Sequence, residues 1–256
     1  SGYVDIDGYL DAQNNNTKAS PYGGSVKVTA PSWLSIGADT DGFSILTRGE
    51  KRTGHSGTAP ASVTLLSQGN VTLEGGIDAY HWVTSPRDAA DNERLFIGWS
   101  DGNDGNGDEK AANVSVYGDI LGHGGGEDGG RPIDIAASGM VLIDGSIDTH
   151  GNSGGVHYVD GGPVSLIGDA GVHVTGGIDT SLINGGGYDT SNGGDLAITS
   201  ANGDIQIDGV IDIQTTSSSG SSHHGDLTLA APNGTITLGS GLDLSGIGVA
   251  KFDSAP

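Results

Sequence analysis

The 256-residue chain carries 32 Asp and Glu against 10 Lys and Arg, for a formal net charge of −22, with 48 Gly and no Cys. So acidic a surface repels nucleic acid and anionic membranes, and leaves divalent cations, neutral glycans or a saline medium as suitable surroundings. Disulfides and thiolate metal sites are excluded, no apolar run approaches the ~20 residues of a membrane-spanning helix, and glycine without a Gly-X-Y period is not collagen. The start Ser1-Gly2-Tyr3 lies almost directly on a repeat, as in a mature chain after signal removal, and the missing Cys fits export from a prokaryotic cell.

One unit recurs along the chain: apolar-x-apolar-x-Gly-x-apolar-Asp. It reads VDIDGYLDA from Val4, LSIGADTDG (degenerate) from Leu34, VTLEGGIDA from Val71 and VSVYGDILG from Val114. It continues as VLIDGSIDT from Val141, VHVTGGIDT from Val172, IQIDGVIDI from Ile205 and ITLGSGLDL from Ile236. Self-similarity at a period of roughly 30 to 40 residues marks a repeat architecture. Alternating apolar and polar residues, many of them β-branched, predict a strand at each copy. The glycines Gly8, Gly75, Gly118, Gly145, Gly176 and Gly209 mark a bend or a backbone position where a side chain would clash.

A second short strand precedes most copies: SVKVTA, SVTLLS, PIDIAAS, PVSLIG, DLAITS and DLTLAA. Its first apolar residue stands eight or nine residues before the next copy in these six cases, so variation in length falls in the loop after the Asp. No unit can bury its apolar residues alone, and only stacking completes a core. The expected fold is all-β: a single-domain right-handed parallel β-helix (β-solenoid) of about eight coils, spanning 1–256. At about 4.8 Å per coil it forms a rod ~35–40 Å long. An inserted loop region is expected at about 80–113, holding Trp82, Trp99 and the densest acidic run.

The recurring Asp11, Asp78, Asp148, Asp179, Asp212 and Asp243 would form columns. Carboxylates ~5 Å apart repel by about a kcal/mol even in water. Backbone N–H donors at the turn, alternating side-chain directions, or bound Ca²⁺ would offset this, so Asx-type turn capping and a calcium ladder at Asp148, Asp179, Asp212 and Asp243 both stand. The loop Asp101-Gly-Asn-Asp-Gly-Asn-Gly-Asp-Glu109 offers hard oxygen ligands at Asp101, Asp104, Asp108 and Glu109 but misses the EF-hand register, and a solvated acidic loop explains it equally. His157, His223 and His224 sit in Gly- or Ser-rich loops, as metal ligands or as plain exposed loop histidines. Sequons at Asn15, Asn70, Asn113 and Asn233 double as turn residues.

The stretch VHVTGGIDTSLINGGGYDTSNGGDLAITSANGDIQIDGVIDI resembles repeats of the filamentous haemagglutinin family of secreted adhesins. The shared features are strand-Gly-strand units ending in Ile-Asp-Thr, a Gly- and Ser-rich loop, and Gly-Gly-Asp-Leu-x-Ile-x-Ser. The likeness is good from Val141 to Leu244 and looser from Val4 to Gly122. It implies a right-handed parallel β-helix at the exterior or cell surface of a prokaryote, with an adhesive role.

Three functional readings follow. The first is an extracellular structural protein rather than an enzyme. Both ends lack a recognisable cap, so Val4, Ile6 and Leu10 at one end would meet Ile236, Leu238 and Leu242 of another copy, giving a head-to-tail homopolymer. The second is an adhesin segment binding glycans through Trp82 and Trp99. The third is a polysaccharide lyase or hydrolase of the β-helix type, with Lys51, Arg52, His55, His81 and Arg87 as the cationic and basic groups. No cofactor is implied beyond Ca²⁺.

Overall fold

A computed structural model describes residues 2–13, 24–50, 62–87, 94–98, 110–153, 160–184, 192–216, 224–239 and 249–255, with the backbone alone at 49–50, 81–87, 125–128, 153, 184 and 216. The chain is all-β among these residues, and its strands stack into four mostly parallel sheets of eight, seven, six and eight strands. Each inner coil contributes one strand to each sheet in turn, so the sheets form the faces of a parallel β-solenoid.

Face 1 takes the first half of each repeated unit, from Tyr3–Ile6 through Met140–Ile143 to Ile236–Leu238. Its register is unbroken: Val4, Leu34, Val71, Val114, Val141, Val172, Ile205 and Ile236 stand in one column. Face 2 takes the second half, as Leu10–Asp11, Phe43–Leu46, Gly76–Asp78, Ile120–Leu121, Ile147–Asp148, Ile178–Asp179 and Ile211–Asp212. Face 4 holds the strands before each copy, from Val26–Ala30 to Ala250–Ser254. Period-2 alternation sends about one residue in two inward on faces 1 and 4, and face 2 adds its own buried apolar column. The interior of faces 1, 2 and 4 is therefore columns of Val, Ile and Leu, most of them no more than 1% exposed.

Face 3 consists of Gly49–Glu50, His81–Arg87, Gly124–Asp128, Gly151–Ser153, Leu182–Asn184 and Thr215–Thr216. These stretches lack apolar alternation and become strands by pairing with the coils beside them. The pairing is parallel except between Gly124–Asp128 and Gly151–Ser153, which run antiparallel.

Two details depart from the sequence expectation. The degenerate copy at Leu34 forms a full coil, with Phe43–Leu46 as its face 2 strand, an added turn before it and a register shift between Phe43 and Ile45. That turn is closed by Asp39, whose Oδ1 accepts the N–H groups of Asp41 (3.0 Å) and Phe43 (2.8 Å). The region 80–113 is not one insertion, since His81–Arg87 pairs with the strands on either side, with a register shift after Val83, and Leu95–Ile97 is in register with both neighbours. Leu95 and Ile97 are 1% and 0% exposed. The lengthened corner is the one between Ile97 and Val114.

The repeated glycine serves coil stacking. A Cβ on Gly176 would lie 2.5 Å from the carbonyl O of Gly145, and one on Gly209 would lie 2.4 Å from the carbonyl C of Gly176. Backbone from one coil passes too close to the next for any side chain there.

Candidate functional site

The chemistry gathers at the corner where face 2 turns into face 3, two residues after each Asp. Every described Asp of the column accepts the N–H two residues on through Oδ1. The pairs are Asp11 to Gln13 (2.9 Å), Asp78 to Tyr80 (3.2 Å), Asp148 to His150 (3.1 Å), Asp179 to Ser181 (2.9 Å) and Asp212 to Gln214 (3.0 Å). This is the Asx turn, and it gives each carboxylate a donor within its own coil. Next to the Asp, the Thr149 hydroxyl donates to the Gly162 carbonyl and that of Thr180 to the Gly194 carbonyl, each at 2.7 Å. The Ile-Asp-Thr triplet thus ties three faces of the coil together.

Two coils carry Leu instead of Asp, at Leu46 and Leu121. In both, the residue two places on bears nitrogen and reaches for the carboxylate of the following coil. Arg48 binds Asp78, a residue 1% exposed, through Nε and a terminal nitrogen. His123 points Nδ1 at Oδ2 of Asp148, 3.4 Å away.

The second case builds a cluster. Asp148 Oδ1 lies 2.6 Å from Nδ1 of His150, and the His123 and His150 rings stack at 4.9 Å with 8° between their planes. Tyr80 of the preceding coil packs on His123 at 4.8 Å, tilted by 49°. The side chains of His123, Asp148 and His150 are 22–27% exposed. Nδ1 of His123 is buried, and its contact with Asp148 is longer than a well-formed hydrogen bond. Burial pushes the Asp148 carboxyl up, but the two imidazoles and the His150 N–H more than reverse this and hold it well below the usual carboxylate range. Asp148 in turn raises His150, against the opposing effect of burial. In the next coil, burial and then the flanking Asp148 and Asp212 raise Asp179, against its hydrogen bonds from Ser181.

No protein-family model, curated protein or solved structure matches the chain. What the site can do follows from its own residues.

Of the residues singled out in the sequence, Lys51, Arg52, His55, Trp99, Asp101, Asp104, Asp108, Glu109, Leu242 and Asp243 lie outside the described residues, as do His157 and His223. His81, Trp82 and Arg87 lie on one face 3 strand, described as backbone only. Asp148, Asp179 and Asp212 do stack in consecutive coils, with Oδ1 of each committed to its turn. His224 holds a corner together, its Nδ1 accepting the N–H of Thr215 at 2.9 Å. It borders a groove of about 490 Å³ with Asp160, Asn192, Asp195 and Asp226. There Asp160 and Asp195 accept N–H groups of the next coil, from Asn192 (2.7 Å) and Asp226 (2.8 Å). The sequence alone did not bring out the pairing of His123 with His150. Both stand two places after the Asp position in successive copies, and aligning the copies through that position would have found it.

Proposed function

We propose that this chain is an extracellular structural protein, a β-solenoid subunit that stacks end to end with further copies of itself into a fibre of adhesive character. The observation carrying this reading is that the core columns reach the first and last described coils with apolar residues exposed or only partly covered. In the last face 4 strand, Ala250, Phe252 and Ser254 continue the buried column positions of Leu227, Leu229 and Ala231. Yet all five residues of that strand are exposed, Phe252 by 48%. Ile236 and Leu238 beside them are only partly covered, as are Val4, Ile6 and Leu10 at the other end.

The two ends are complementary in kind. A second copy set on the first in the same direction would lay Tyr3–Ile6 along Ile236–Leu238, and Val26–Ala30 along Ala250–Ser254. Two eight-stranded sheets would then run on without change of direction, with Val4 over Ile236 and Ile6 over Leu238. Such a contact buries apolar residues and pairs open strand edges at once. It is heterologous and does not close, which makes a filament. The likeness of the repeats to filamentous haemagglutinin units supports placing such a fibre outside a prokaryotic cell.

Negative-stain microscopy and sedimentation of the purified 256-residue chain test the reading. Expected are rods of one solenoid's width and many solenoids' length, shortened to single units by Ile6→Lys or Phe252→Lys. A monodisperse monomer at high concentration would overturn it.

A further inference from the structure

We infer that His123, Asp148 and His150 form a binding site for a divalent transition-metal ion that clips two adjacent coils together. His123 belongs to one coil and Asp148 and His150 to the next, so an ion held by all three would bridge them. One ring nitrogen of each imidazole and a carboxylate oxygen lie within 4.8 Å of one another. One ion, at about 2.0–2.2 Å from each ligand, needs them roughly 3–3.5 Å apart. Rotation of the imidazoles closes the difference.

Two observations separate this cluster from a hydrogen-bonded Asp with two neighbours. Nδ1 of His123 is buried and faces the carboxylate at 3.4 Å, a long contact rather than a well-formed hydrogen bond. A cation between the imidazole and the carboxylate would satisfy both groups better than this long contact does. The rings also lie parallel one coil apart, with both Nδ1 atoms turned to the same carboxylate. Leu121 is what permits this. With no Asp of its own coil beside it, His123 has only Asp148 to face.

Two nitrogens and one carboxylate suit Zn²⁺, Co²⁺, Ni²⁺ or Cu²⁺, whereas Ca²⁺ takes six to eight oxygen ligands. Binding requires both imidazoles neutral at Nδ1 and the carboxylate ionised, so protons leave as the metal enters. Partial exposure leaves room for water to complete the coordination.

The test is titration of the metal-stripped chain with Co²⁺, followed by ligand-field absorption and by thermal unfolding. Expected are one tight equivalent, a raised Tm, and no displacement by excess Ca²⁺. His123→Gln, His150→Gln and Asp148→Asn should each weaken that equivalent by at least the ~10–100-fold lost on disturbing an outer-shell partner of a metal ligand. Asp148→Asn retains an acceptor for the turn, so its loss of metal is not loss of fold. His173→Gln should leave metal uptake unchanged. Absence of uptake, or uptake that any of the three substitutions leaves intact, overturns the assignment. The site does not depend on end-to-end stacking, and its failure would leave that reading untouched.

Discussion

Asp179 shows how a stack of like charges is tolerated. It sits between Asp148 and Asp212, and burial together with those neighbours raises its carboxyl above the ordinary value. A raised carboxyl pKa means the ionised form opposes folding. The penalty is full above the folded pKa, shrinks as pH falls through it, and is gone near the unfolded value of about 3.9. Asp179→Asn keeps an oxygen for the N–H of Ser181 while removing the charge. It should raise Tm at neutral pH, with the advantage fading on acidification and absent near pH ~4. Thermal melts of the two proteins across that range check this, and a gain independent of pH would contradict it. The same residue scale explains what the sequence could not disclose. The turn-capping role of the Asp was legible from its type and position. The partner switch at Leu46 and Leu121 was not, because Arg48 and His123 meet carboxylates 30 and 25 positions further on, which only the register brings together.

At the scale of the strand, stacking tolerance depends on which glycine is replaced. Gly176→Ala would drive a Cβ against the carbonyl of Gly145, and backbone cannot step aside. The expected cost is about 1–3 kcal/mol, as for other overpacked sites. Gly8→Ala at the outermost coil meets nothing within 4 Å and should stay within about 0.5 kcal/mol of the parent. Urea unfolding of both variants checks the contrast, and equal costs would refute coil contact as the reason for the glycine. Strands on faces 1 and 4 were readable because each buries one side and so alternates, and most of face 2 was readable from the repeated apolar-Asp pair. Face 3 was not. Gly151–Ser153 and Thr215–Thr216 carry no apolar period, and they are strands because the coils beside them offer paired edges. Leu95–Ile97 was hidden for another reason: its neighbours in sequence are charged and it lies far from the next copy, although its three residues fit the face 4 columns.

For the whole molecule, charge opposes the proposed stacking. Each copy bears a net −22, and bringing two rods end to end concentrates that charge. Salt shortens the reach of the repulsion from about 30 Å at ~10 mM to about 3 Å at ~1 M. Apolar contact between the ends survives such screening. Sedimentation velocity in NaCl with a chelator should therefore show growth of the assembled species as salt rises. A distribution that shrinks with salt would point to ion pairs across the joint and against an apolar one.

The corner between Ile97 and Val114 has a practical consequence. Here the chain runs far longer than at the other corners between faces 4 and 1, yet Val71, Val114 and Val141 remain in unbroken register. Length at a corner is thus invisible to the ladders on either side. A foreign peptide spliced into any such corner would project from the rod at a height fixed by its coil, in steps of about 4.8 Å. The solenoid is in this sense a ruler, on which epitopes or enzymes could be spaced at chosen intervals.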